Sequence, residues 1–528
     1  MCYKIGVDVG GTNTDAVLVS QDNKILAKTK QTTTLDVSTG IANAIKFVIQ
    51  ESDVPKESIK YVMLGTTHCT NALVERKELN KVGSIRIGLP ASKAIPTMTD
   101  FPLDLKKVLG NHNFLVHGGY EYDGRPISEL QEDEVKDCLN KMKGMVESVA
   151  ITGIFSKTLP DQELQVAEWT KEILGDSIRI TCSHQVGGLG LLERENAAIL
   201  NAALQKVATK MVKAFKNTIQ DLGLTAQLFI GQNDGTLMSL EQVRDFPVLT
   251  ISSGPTNSIR GAGALSKVKN GVVIDVGGTT SDAGMLVDFF PRESTQAAQI
   301  GGVLTNFRMP DIVAVGIGGG TIVRFVEDEC QLGPDSVGYL LKKEALAFGG
   351  NTLTLSDIFI AENEIQIDGS IAISDIKNMI EKQTGIPYDE ALQMIKKSIE
   401  GAIEKLVDKL KTDSKDIPVV ACGGGAFLLP KSIDGASEVL FPEHLEVANA
   451  FGACIAQISS EEEMVVNTMQ KNEEIALQEL LDKVTLHLLA KGAKKETLKT
   501  LSKEIIPLAY LPGTAKVKVK ICGDLIGL

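Results

Sequence analysis

The sequence has no cysteine pair spaced to hold metal or to frame a disulfide set. Its eight cysteines, Cys2, Cys69, Cys138, Cys182, Cys330, Cys422, Cys454 and Cys522, are scattered, with no CxxC and no cluster with histidine. That argues against a zinc ribbon and a disulfide scaffold, and it suits reduced thiols in a cytoplasmic protein. Basic charge is also short. Lys and Arg number 54 against 67 Asp and Glu, a net charge of −13, which excludes a long nucleic-acid footprint. No run reaches the ~18 apolar residues that cross a bilayer. The N-terminus has no basic stretch followed by an apolar one, so no signal peptide is expected. The Walker pattern GxxxxGK[ST] is missing as well. An anionic ligand must therefore be held locally, by backbone amides and a metal ion.

What remains is an ordinary globular composition, 43% apolar and 23% charged over 528 residues. A chain of this length builds two or three domains and buries a large core unaided. Tyr3–Val9 reads as a buried strand ending in Gly10-Gly11-Thr12. Strand-like segments follow at Ala16–Ser20 and Lys24–Lys30, around a turn at Gln21–Asn23, so the glycine loop joins two strands of a hairpin. Val37–Ser52 has helical apolar spacing, and Tyr61–Leu64 is a short strand leading into Gly65-Thr66-Thr67 and a helix. Helices at Glu132–Gly144 and Asp161–Leu174, the latter with Asp161 as its N-cap, flank a strand at Ser148–Phe155. The alternation predicts an α/β fold. Leu191–Leu222 is a long amphipathic helix, and from Ser460 a charged helical stretch precedes an alternating strand, Ala515–Cys522.

The strongest signal is a repeat. IGVDVGGTNTDAVLV at 5–19 aligns with VVIDVGGTTSDAGML at 272–286, 267 residues on. Asp8, Val9, Gly10, Gly11, Thr12, Asp15 and Ala16 match Asp275, Val276, Gly277, Gly278, Thr279, Asp282 and Ala283. A lone DxGGT is as often a tight hairpin as a site, but two copies at a lobe-length spacing imply two equivalent loops facing each other. The chemistry fits each residue type. An Asp at a strand end reaches a hydrated Mg²⁺. Paired glycines let the backbone approach phosphate and present amides to it, and Thr adds a hydroxyl donor. Because each loop leads into a strand and not a helix, a Rossmann fingerprint is excluded.

These loops resemble the two phosphate motifs of the acetate and sugar kinase, Hsp70 and actin superfamily. Within it, LGTTHCTNALVERK, LLERENAAILNAAL, GQNDGTLMSLEQVRDFPVLTISSGP, IDVGGTTSD and DIVAVGIGGGTI follow in the order expected of hydantoinase A/5-oxoprolinase proteins. The resemblance covers about residues 3–457. It implies two duplicated actin-like (ribonuclease H-like) lobes around a nucleotide cleft: an N-terminal lobe with an inserted segment at 1–188, a second lobe at 189–460, and a small helical and β appendage at 461–528. It also implies ATP with Mg²⁺ or Mn²⁺, a cyclic amide or related carbonyl as small-molecule substrate, phosphorylation of that carbonyl oxygen, and a partner hydrolase subunit. An oligomer is expected, with no nucleic-acid or membrane partner.

Residue by residue, the resemblance makes Asp8 and Asp275 the metal carboxylates. Gly10, Gly11, Thr12, Asn13, Gly277, Gly278, Thr279 and Thr280 become phosphate-loop residues, and Gly423, Gly424 and Gly425 the adenosine loop. Gly318, Gly319 and Gly320 form a third glycine turn expected to line the cleft, with Asp311 before it as candidate general base. Thr66, Thr67, His68 and Asn71 lie where a strand meets a helix N-terminus, a place that favours anions, and are assigned to the substrate side. Asp15 and Asp282 read equally as second partners of the metal or as turn residues. Glu193, Arg194, Glu195 and Asn201 begin the long helix and read as site residues or as a solvated first turn. A reactivating chaperone ATPase and a small-molecule kinase are the alternatives on the same fold.

Overall fold

The computed structural model describes residues 2–11, 13–33, 36–294, 298–307, 309–326, 329–508, 511 and 513–526. Thr12, one of the expected phosphate ligands, lies outside the described residues.

The heart of the first sheet is the antiparallel hairpin Tyr3–Val9 and Asn13–Ser20. Ile25–Thr32 pairs antiparallel on its outer side and Ile59–Thr66 parallel on its inner side. The second sheet repeats the plan. Gly271–Val276 and Ser281–Val287 form the hairpin, Ile312–Val315 joins its outer side antiparallel, and Ile417–Cys422 its inner side parallel. Registers match too: Asp8 stands opposite Asp15 and Gly65, and Asp275 opposite Asp282 and Cys422. The chain is thus an α/β protein of two duplicated actin-like lobes. Both central hairpins are apolar on both faces because both faces are covered. Ile5, Val7 and Val9 meet the helices Val37–Ser52 and Leu191–Asp221, while Val17 and Val19 meet Ala450, Phe451 and Cys454.

The first sheet runs to nine strands, adding Gln227–Gly231, Leu237–Ser239, Ile458–Asn467, Thr514–Gly523 and Lys499–Pro507. The first two fall in the range expected for the second lobe, and the last two in the range expected for an appendage. All five hydrogen-bond into the first lobe's sheet. The charged stretch after Ser460 is strand and not helix, and the helix begins only at Glu473. The three glutamates 461–463 mislead a helical reading. They alternate across a strand whose even positions Ile458, Met464 and Val466 pack on the helix Glu473–Ala490, while Glu461 and Glu463 stand beside the lysines of Thr514–Gly523.

The inserted segment is a four-stranded parallel sheet in the order His112–His117, Val82–Leu89, Ser148–Gly153, Arg179–Cys182, with its own core around Ile85, Leu139, Ile151 and Trp169. Pro160, and not Asp161, occupies the N-cap of its helix Asp161–Leu174, and Asp161 accepts the Tyr120 hydroxyl. This insert folds over the start of the long helix. Arg194 and Glu195 are therefore buried and not solvated, and Arg86 forms a bidentate ion pair with Glu195 in which both side chains are at most 1% exposed. Arg194 donates instead to the Ser183 hydroxyl and to the carbonyls of Gly153, Gly188 and Leu189.

The lobes meet where the helices Ser253–Ser266 and Ala448–Cys454 cross. A methyl on Gly261 would collide with the Ala448 carbonyl, and one on Gly452 with the Asn257 carbonyl. Only glycine lets these two backbones touch.

Candidate active site

Both hairpin tips open on one cleft of about 250 Å³ between the lobes. The tips are duplicates in bonding as well as sequence: the Gly10 amide donates to the Asn13 carbonyl at 2.9 Å, and the Gly277 amide to the Thr280 carbonyl at 2.8 Å. Gly11 and Gly278, one residue further, have open space beside their Cα atoms. Such bare tips suit close approach of a phosphate to backbone amides.

Four carboxylates converge beneath them. Asp8, Asp15, Asp275 and Asp282 all line the cleft. Burial, reinforced by Asp15 and Asp275, pushes the Asp8 carboxyl up to about 7. Burial with the Asp275 charge pushes Asp282 up to about 6, and burial raises Asp15 and Asp275 too. The counter-charge is slight. Lys30 Nζ bonds Asp15 Oδ2 at 2.8 Å, Asn449 Nδ2 donates to Asp8 Oδ2 at 3.1 Å and to Asp15 Oδ2 at 2.8 Å, and the Ser258 hydroxyl bonds Asp275. Asp8 Oδ1 and Asp15 Oδ1 remain buried with no hydrogen-bond partner. Orphaned hard oxygens among mutually repelling carboxylates are what a divalent cation resolves, and an all-oxygen donor set suits Mg²⁺ or Mn²⁺. Gly65 is required here by space, since a methyl there would strike Asp8 Oδ1 and Asn257 Nδ2.

Of the remaining expected residues, Gly10, Gly11, Asn13, Gly277, Gly278, Gly423, Gly424 and Thr67 line the same cleft. Gly423 adopts φ +85°, and a methyl on it would strike Asp275 Oδ1 and the Val276 carbonyl. Gly425 donates to that carbonyl at 2.7 Å, which pins the third loop to the second hairpin. Thr279 and Thr280 sit exposed beside the tip. Thr66 turns its hydroxyl to His68 Nδ1 at 2.6 Å, and Asn71 donates to the Thr67 hydroxyl, so Thr67 is the member of this group that reaches the cleft. Burial lowers the His68 pKa.

Two expectations are corrected. Gly318, Gly319 and Gly320 do not line the cleft. Their amides bond the Thr321 hydroxyl and the carbonyls of Gly277 and Gly278, so the turn buttresses the second hairpin from behind. Asp311, the expected general base, is not among the residues that line this cleft. It lies at the far end of Ile312–Val315 from the hairpin tip and is held by Arg292 at 2.6 and 3.0 Å.

Sequence reasoning missed Lys30, Ser258 and Asn449. Lys30 was within reach, because the hairpin turn sets it opposite Asp15. Ser258 and Asn449 lie on the two crossing helices, in stretches that carry no motif.

Past Gly425 the chain enters the wall of a second cavity of about 810 Å³. Phe427, Leu428, Leu429 and Pro430 line it with Phe359, Ile399 and Phe441, and its polar groups are Glu364, Lys396, Glu400, Lys431 and Ser432. The rings of Phe359 and Phe427 meet edge to face at 5.3 Å.

Residues 4–174 match the hydantoinase/oxoprolinase N-terminal region, and residues 194–462 match hydantoinase/oxoprolinase proper. The chain is 23% identical over 527 residues to caprolactamase subunit alpha of Pseudomonas jessenii, covering 90% of this chain and 74% of that one. The crystal structure of the ATP-dependent caprolactamase from Pseudomonas jessenii superposes with a TM-score of 0.83 at 18% identity, over 99% of this chain and 88% of that one. Nucleotide-free acetone carboxylase superposes with a TM-score of 0.70 at 17% identity, over 99% and 87%. These structures share the fold. Among the described residues no helix is long and apolar enough to cross a membrane. With more than half the sequence matched in two consecutive regions, the chain belongs to the hydantoinase/oxoprolinase family.

Proposed function

We propose that this chain phosphorylates the carbonyl oxygen of a cyclic amide, such as a hydantoin, 5-oxoproline or a larger lactam, at the expense of ATP, so that the ring can be opened. The observation that carries the reading is the convergence of four carboxylates, Asp8 and Asp15 buried and Asp275 and Asp282 half-buried, under two duplicated glycine hairpins across one cleft. Asp8 and Asp275 would hold Mg²⁺ or Mn²⁺, with Asp15 and Asp282 behind them. The cation would neutralise phosphate charge during transfer. Gly10, Gly11, Gly277 and Gly278 would seat the phosphates from both lobes. The cavity beyond Gly423–Gly425 would take the adenine ring against Phe359, Phe427 and Phe441, with Glu364, Lys396, Glu400, Lys431 and Ser432 as the polar groups around it.

An amide carbonyl is a poor electrophile. In the proposed step a lone pair of its oxygen bonds to the γ-phosphorus, the bond from phosphorus to the β,γ-bridging oxygen breaks, and ADP departs with those electrons. Water then adds to the activated carbon. The tetrahedral adduct expels the ring nitrogen as an amine as its hydroxyl proton passes to that nitrogen, which opens the ring. A second water cleaves the acyl phosphate left behind to carboxylate and phosphate. Positioning and charge neutralisation are the protein's share of that transfer. The relative named caprolactamase subunit alpha supports both the substrate class and a partner subunit for the hydrolytic half.

The test is ADP release with 5-oxoproline, hydantoin and ε-caprolactam, with and without a co-expressed partner subunit. Amide-stimulated ADP release is expected. Failure to bind ATP with either Mg²⁺ or Mn²⁺ would sink the proposal.

A further inference from the structure

A chamber of about 340 Å³ lies beside the phosphate cleft, where the inserted segment, the first lobe and the C-terminal strands meet. The start of the helix Ser253–Ser266 links the two sites. Asn233 lines the chamber and its carbonyl accepts the Thr256 hydroxyl, while the preceding Gly254 and Pro255 line the phosphate cleft. Between them Ser252 is held at φ +65°, a strained conformation that sets the entry of the helix.

The chamber has two unlike walls. Leu237, Met238, Phe246, Leu249 and Phe307 make one apolar. The other is the charged face of the sheet extension, Glu461 and Glu463 alongside Lys516, Lys518 and Lys520. Its cations are already matched: Lys518 pairs with Glu461, and Lys520 with Asp234 at 2.8 Å and with Glu293. Lys516 reaches Glu463 Oε2 at 3.4 Å. The exception on the acidic side is Glu463 Oε1. The side chain is 9% exposed, yet this oxygen has no hydrogen-bond partner. It lies against Gly188, where a methyl would come within 3.6 Å of it. A buried carboxylate oxygen without a donor is costly unless a ligand supplies one.

We infer that this chamber receives the cyclic amide and that Glu463 selects it by accepting the ring N–H. The inference rests on the proposed carbonyl phosphorylation. A small lactam matches both walls: its methylenes lie on the phenylalanine and leucine side, and its N–H meets Glu463. Transfer of phosphorus to the carbonyl oxygen draws electron density from the ring nitrogen. The N–H then becomes a stronger donor, so the contact tightens as the substrate is activated.

The experiment measures equilibrium binding of ε-caprolactam, hydantoin and their N-methyl counterparts to the full chain by calorimetry, with Mg-ADP affinity measured separately. Wild-type protein is expected to bind the N–H forms at least tenfold more tightly than the N-methyl forms. E463M should erase that preference through a loss of about tenfold to a hundredfold for the N–H forms, and E463Q should restore part of it. G188L, which keeps Glu463 but fills the space against it, should block both forms; Gly188 has no positive φ to strain the substitution. Unfolding temperature identifies any variant that fails to fold. Binding untouched by E463M and G188L, or no binding of any cyclic amide by wild-type protein, would overturn the inference. Loss of Mg-ADP binding in wild-type protein would instead count against the phosphate-cleft reading.

Discussion

Asp8 and Asp15 share a single amide: Asn449 Nδ2 donates to Oδ2 of both carboxylates, and its Oδ1 accepts the Ala450 amide. The first-lobe carboxylates are thus aimed by a helix 441 residues further along the chain, one of the pair that crosses between the lobes. Asn449→Ala removes the bridge without touching the proposed metal ligands. It is expected to cut Mg²⁺-dependent ATP turnover by about tenfold to a hundredfold, a loss typical of hydrogen bonds that orient a ligating carboxylate. The informative readout is the Mg²⁺ concentration for half-maximal rate. It should rise in the variant, whereas a purely structural defect would lower the rate with that concentration unchanged.

Because the four carboxylates repel one another in a buried cleft, activity and stability are expected to move in opposite directions at Asp8. Asp8→Asn keeps the shape and removes one charge. Metal-free variant should unfold at a higher temperature than metal-free wild type, while metal-dependent turnover falls by a thousandfold or so. The double change Asp8→Ala with Asp275→Ala should abolish turnover and leave the fold intact. Surviving activity in that double variant would remove both residues from the proposed metal site.

The pH dependence of the metal-free protein follows from the same charges. Asp8 and Asp282 are raised from 3.8 to about 7 and about 6. Between the unfolded and folded values the native state binds more protons than the unfolded one, so the stability these two groups contribute is fully present below the unfolded value and falls as pH rises through that window. From pH 5 to 7 the loss should be on the order of 3–4 kcal/mol in urea unfolding at low ionic strength. Saturating Mg²⁺ should flatten the slope, as should Asp8→Asn. A metal-free stability that rises over this range would contradict the burial and repulsion assigned to these groups.

What the sequence discloses about this site follows from how local each requirement is. A hairpin tip that admits phosphate needs glycines and an Asp within a few residues, so the motif at Asp8–Asp15 and its copy at Asp275–Asp282 stand out. Gly423 is legible for the same reason. Asn449 is not, since its partners are set by the helix crossing that Gly261 and Gly452 permit. Gly318–Gly320 look like a ligand loop because a turn that packs under another backbone also needs glycine. Asp311 looks free until Arg292 is brought to it by strand pairing. Of the C-terminal strands, Ala515–Cys522 is legible from its alternation, whereas Ile458–Asn467 is masked by charge: Glu461 and Glu463 stand opposite Lys520 and Lys518, a match invisible until the pairing is known.

The inserted segment offers a test of how burial reverses the reading of a charged helix start. Arg86 and Glu195 come from the insert's central strand and the long helix, and their ion pair is sealed from water. Burial raises the Glu195 carboxyl, and Arg86 opposes that rise. Removing one partner strands a buried charge, which typically costs about 3–5 kcal/mol, whereas replacing both by apolar residues is far milder. Glu195→Ala is therefore expected to destabilise the protein by about that amount, and Arg86→Met with Glu195→Leu by clearly less. Guanidinium unfolding of the three proteins measures the difference. A Glu195→Ala variant as stable as wild type would mean that water or another group reaches Arg86 and that the insert is not sealed onto the helix.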